Sequence, residues 1–119
     1  MYPPPPKEIV QKLIHSDLVT ICFGSSVVNL HFENENCLSV EGPFRFAERR
    51  HLADAPVFDF PLSETRLIRV LGCSVNDMKC DTDGTLELGF SNGDVLIVYA
   101  NDPAYEAYIL LIGGKKYVV

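Results

Sequence analysis

Gly84-Thr85-Leu86-Glu87-Leu88-Gly89-Phe90-Ser91-Asn92-Gly93-Asp94-Val95-Leu96-Ile97-Val98 is the stretch on which the fold turns. Apolar and polar residues alternate on both sides of Asn92-Gly93, the period of strands with one buried face. Both central residues tolerate positive φ, so the stretch reads as a β-hairpin. A two-residue turn sets Phe90 opposite Val95, Leu88 opposite Ile97 and Leu86 opposite Tyr99, and makes this the core face. Outward from the hairpin, Cys73 to Asp81 reads as a strand closed by the turn Thr82-Asp83-Gly84. Asp102-Pro103 turns the chain into a strand from Tyr105 to Ile112, and Gly113-Gly114 reverses it into Lys115 to Val119. Strands Asp94 to Ala100 and Tyr105 to Ile112 are apolar on both sides, as in a meander curled toward a barrel. Ile109 joins the core set, with Leu67 and Leu71 packed over it.

The first half carries the same alternation. Leu18 to Phe23 is an apolar strand closed by Gly24-Ser25-Ser26, and Val27 to Glu33 alternates Val28, Leu30 and Phe32 against Asn29, His31 and Glu33. Asn34-Glu35-Asn36 reads as a loop into a strand with Leu38 and Val40 inward. Glu33 opposite Cys37 then puts His31 across from Ser39 and Asn29 across from Glu41. Gly42-Pro43 breaks the hairpin before a short strand from Phe44 to Glu48. Ile9, Val10, Leu13 and Ile14 predict an amphipathic helix over Lys7 to His15. Ser63 caps a second helix over Glu64 to Leu71, with Leu67, Ile68 and Leu71 inward and Gly72 as its stop. Arg49 to Pro61 is an ordered loop. No repeat unit stands out, since the two hairpins share only their alternation. The expected architecture is α+β: an antiparallel, curled, barrel-like sheet with two short helices. Residues 1–6 form a proline-rich arm and 7–119 one domain.

Composition narrows function by exclusion. The chain has 119 residues, 47% of them hydrophobic, and 10 Lys+Arg against 16 Asp+Glu give a net charge of −6. A chain of this size buries about two-thirds of its unfolded surface and needs no metal or disulfide to fold. No apolar run approaches the ~20 residues of a membrane span. Met1, Tyr2 and four prolines do not form an export signal, so the expected compartment is the cytoplasm. Cys22, Cys37, Cys73 and Cys80 make no CxxC pair and are expected to be free thiols. Scattered positive charge on an acidic chain argues against a nucleic-acid partner.

The search for chemistry finds little. His15, His31 and His51 show no HxxxH or HExxH spacing, and phosphate-loop and nucleophile-elbow motifs are absent. No catalytic, cofactor-binding or metal-ligating residue is assigned. What remains is the polar face of the first hairpin, where His31, Glu33, Glu35 and Glu41 stand without a Lys or Arg between Asn29 and Glu41. An acidic face of this kind suits a basic protein partner. The alternative is a small-ligand or hydrolytic site near His31, Glu33 and Glu41. Tyr99, Tyr105 and Tyr108 could form a partner-facing platform, though tyrosines more often close the rim of a small β-core. Homo-oligomer formation through a sheet face or the strand Lys115 to Val119 is a further expectation.

The run from Gly84 to Val98, followed by Tyr105-Glu106-Ala107-Tyr108, resembles the end of small bacterial domains of uncharacterised function, among them immunity-type proteins of polymorphic toxin systems. The shared form is L-x-L-x-F-x-x-G-x-x-L-x-V, then Tyr-Glu-x-aromatic. This chain has no Trp where those domains often place one. The resemblance implies a non-enzymatic α+β protein that acts by binding. It transfers no catalytic residue, and Glu106 and Tyr108 match its terminal motif.

Overall fold

The computed structural model describes residues 4–51, 55–58, 66–100 and 106–119. Among these residues, ten antiparallel strands form two five-stranded sheets. They are β1 Leu18–Phe23, β2 Val28–Phe32, β3 Cys37–Val40, β4 Phe44–Ala47, β5 Val57–Phe58, β6 Val75–Cys80, β7 Leu86–Phe90, β8 Val95–Val98, β9 Tyr108–Ile112 and β10 Lys115–Val118. The first sheet runs β1-β2-β3-β9-β10 and the second β5-β4-β8-β7-β6. The α+β class with mostly antiparallel sheet is as the sequence predicts. The C-terminal strands are not one meander, however: β8 pairs with β4, while β9 crosses over to pair with β3.

Helix is scarcer than the periodicity suggests. One turn, α1 Lys7–Val10, leads into a 3-10 turn over Gln11–Leu13. Pro5 is buried and the Pro6 carbonyl accepts from the N–H groups of Ile9 and Val10, so the arm is packed from Pro5 onward. The expected cap Ser63 and first turn at Glu64 lie outside the described residues. Leu67–Val70 is a 3-10 turn, whose period of three puts Leu67 and Val70 inward. Ile68 and Leu71, expected inside, are 63% and 45% exposed for the same reason.

Loop geometry sets both hairpin registers. Phe90 N–H donates to Asp94 O and Gly93 N–H to Phe90 O, each at 2.9 Å, so the loop is Ser91-Asn92-Gly93, three residues with Gly93 at φ +91°. That is a turn closed by a glycine bulge rather than the expected two-residue turn. Leu88 therefore pairs with Leu96, not Ile97, and Leu86 with Val98, not Tyr99. A one-residue slip exchanges faces. Leu96 and Val98 are buried with Leu86, Leu88 and Phe90, whereas Ile97 and Ile109 are half-buried on the outer faces. In the first hairpin the loop is Glu33-Asn34-Glu35, with Phe32 N–H donating to Asn36 O. His31 pairs with Cys37 and Asn29 with Ser39, a two-residue slip that leaves the faces as expected.

The two halves are related by a pseudo-two-fold that the sequence does not reveal. Asp17 bridges Ser74 antiparallel at its centre. Around that bridge Leu18 N–H donates to Cys73 O and Val75 N–H to Ser16 O, while Gly72 N–H donates to Leu18 O and His15 N–H to Val75 O. Each bond has its counterpart when Ser16 is matched to Cys73 and Leu18 to Val75. Bulges recur at Leu18/Thr20 and Val75/Asp77. Phe44 opposite Val98 likewise matches Tyr108 opposite Val40. Each half thus lends its last hairpin, β4-β5 or β9-β10, to the other half's sheet.

The symmetry supplies an internal control. His15 at φ +72° occupies the place of Gly72 at φ +84°, and the left-handed region favours glycine. His15→Gly should raise stability by about 0.5–1 kcal/mol, and Gly72→Ala, whose new Cβ meets nothing within 4 Å, should cost about 1 kcal/mol. Urea midpoints measure both, and a loss on His15→Gly would mean the imidazole itself stabilises the corner.

Candidate functional site

The outer face of the first sheet is built by alternation. Thr20 and Cys22 on β1, Asn29 and His31 on β2, Cys37 and Ser39 on β3, and Ile109 and Leu111 on β9 point away from the core as Val28, Leu30, Leu38 and Leu110 point into it. Ser39 Oγ donates to Asn29 Oδ1, and Cys37 Sγ lies 3.9 Å from Ser39 Oγ. Burial pushes the Cys37 thiol up, against the lowering effect of Ser39 and with a smaller push from nearby Cys22. It stays a neutral thiol rather than a nucleophilic thiolate. All four cysteines are free, and Cys22 is exposed.

The sequence-derived residues divide between the face and its two ends. His31 is half-buried on the face. Glu33 and Glu35 sit in the loop at one end, where Glu33 Oε1 accepts the Asp17 N–H at 2.7 Å and so holds the β1 corner. Glu41 follows β3 at the far end, four residues beyond Cys37, or about 13 Å along the strand. The structure therefore does not gather His31, Glu33 and Glu41 into one ligand site. Burial, then the charge of Glu106 and a hydrogen bond with it, raise the Glu41 carboxyl above its ordinary range. Glu106 is the residue that sequence reasoning missed on this face. The signal was its place in Tyr-Glu-x-aromatic, but pairing it with Glu41 needs the β3–β9 crossover.

The corresponding row of the second sheet reads Lys79, Glu87, Ile97, Arg45, Val57 where the first has Cys22, Asn29, Ser39, Ile109, Val118. One backbone plan thus carries two chemically different faces. Tyr108, expected on a rim or platform, is fully buried, and its hydroxyl donates to Gly84 O at 2.6 Å. Tyr105 lies outside the described residues. A groove of about 390 Å³ lies between Pro4, Pro5, Lys7 and Val10 on one side and the strand from Met78 to Thr82 on the other. Among the described residues no three His, Cys, Asp or Glu side chains gather to hold a metal ion, and no helix is long and apolar enough to cross a membrane.

A model of a family of unknown function, DUF6188, matches residues 9–119. The chain belongs to this family. No curated protein and no solved structure matches it. The DUF6188 match runs through both halves of the pseudo-two-fold, so the exchange of hairpins lies within the family unit.

Proposed function

We propose that this DUF6188 domain is a non-enzymatic protein-binding module that takes a basic partner on the outer face of its first sheet. The observation that carries the reading is the layout of that face. Ile109 and Leu111 on β9 lie beside Ser39 and Cys37 on β3, with Asn29 and His31 one strand further on β2 and Lys116 on the other side of Leu111, and carboxylates stand at both ends, Glu33 and Glu35 at one and Glu41 with Glu106 at the other. Interfaces commonly combine an apolar centre with a charged rim that steers encounter. The C-terminal hairpin motif supports an immunity-type role, in which a bacterial cytoplasmic domain neutralises a toxin by occupying its basic surface.

Glu35→Lys/Glu41→Lys leaves Glu33 to hold Asp17. Against a toxin-like basic partner, the wild type should associate in a 1:1 complex without turnover, at least about tenfold faster at low salt than the variant, and the gap should close at high salt. Equal rates at both salt concentrations, with the variant folded, would remove this face as the docking surface.

A further inference from the structure

We infer that β1 is the contact through which two copies of this chain pair into a continuous sheet. Among the described residues the other three sheet edges are charged or short, whereas β1 is interrupted only at its start, by the bulge between Leu18 and Thr20. The edge strand β10 presents Lys115 and Lys116, β5 is described over two residues, and β6 carries Asp77 and Lys79 and is packed by α1. By contrast, β1 has no charged residue in Leu-Val-Thr-Ile-Cys-Phe and leaves Val19 57% and Phe23 47% exposed. Its pseudo-symmetric counterpart β6 shows that the fold does not require this. Asn76 stands for Val19, Asp77 for Thr20 and Lys79 for Cys22.

The backbone is open to pairing from Ile21 to Phe23, while Leu18 at the start of β1 is already bonded to Cys73 and Gly72. Gly24 N–H donates to Val27 O, so the bonds to β2 come from Gly24 and, by alternation, Cys22. The N–H and C=O of Ile21 and Phe23 then point away from β2, toward the free edge. A two-fold axis at Ile21 pairs Ile21 with Ile21 of the second copy and Thr20 with Cys22, opposing no charges. It also brings Phe23 of each copy beside Val19 of the other. There Leu71 lies alongside, because Gly72 N–H donates to Leu18 O, and Ile68 stands one 3-10 turn before it on the same side. The exposed apolar groups sit at opposite ends of one strand, so a second copy, unlike an arbitrary strand, supplies the complement to each end.

Sedimentation over a concentration series tests the contact. The wild type should be dimeric and Cys22→Lys, which copies Lys79 of β6, should dissociate at least about tenfold more readily. Thr20→Asp/Cys22→Lys should restore the dimer in a salt-dependent way, because the introduced carboxylate of each copy would face the introduced ammonium of the other. A monomeric wild type, a Cys22→Lys variant that stays dimeric, or a double variant no tighter than the single would each overturn the inference. Thermal melts of each variant confirm that it is folded.

Discussion

Leu88→Ala and Leu96→Ala should each lower stability by about 2–5 kcal/mol, while Ile97→Ala costs about 1 kcal/mol or less. Leu88 and Leu96 are a directly opposed pair, both fully buried between the two sheets, and neither cavity can be filled without moving a strand. Ile97, one residue away, is half-buried on the outer face between Arg45 and Glu87. The ordering distinguishes the two registers, since a two-residue turn would make Ile97 the core residue and Leu96 the surface one. Denaturant unfolding of the three variants reads it directly. A larger loss for Ile97→Ala than for Leu96→Ala would put the hairpin back in the two-residue register.

Both hairpins were legible because alternation survives whatever loop joins the strands. The loop length was not, because the Asn92-Gly93 signal fits a two-residue turn and a three-residue loop equally well. The observed register puts Asp94 on the core side with Leu96 and Val98, a placement that sequence logic resists because a buried carboxylate needs partners. Those partners are Arg69, Asn92 and the Arg49 backbone. Two of them come from segments that local pattern reading treats as a helix and a loop. The pseudo-two-fold was hidden for a related reason. What repeats is backbone geometry, such as the corner at His15 and Gly72, while the residues that occupy it differ. The acidic residues of the candidate face could be named from the sequence, but not their distribution. Glu33 has a structural duty at Asp17 N–H, and Glu41 meets Glu106 through a strand crossover.

Asp94→Ala should cost about 3 kcal/mol near neutral pH, and Asp94→Asn roughly half as much. Burial alone would push the Asp94 carboxyl up, but Arg69 at 3.0 and 3.3 Å, the Arg49 N–H at 2.9 Å and Asn92 Nδ2 at 2.9 Å outweigh it and hold it below the usual range. The other half predicts what asparagine can do. Asn36 Oδ1 accepts the Gly113 N–H in the position where Asp94 Oδ1 accepts the Arg49 N–H, so an amide keeps the turn but forfeits the charge facing Arg69. A folded pKa below the unfolded one means that the carboxylate contributes above the unfolded value, about pH 4, and that this contribution fades as pH falls through the folded value. The stability gap between wild type and Asp94→Asn should therefore be constant from neutral pH down to about pH 5 and shrink below about pH 4. Urea unfolding at a series of pH values tests both parts. A gap that does not change with acid would show that Asp94 acts only as a hydrogen-bond acceptor, as Asn36 does. Equal losses for Asn and Ala would show instead that the Arg69 pair carries all of its effect.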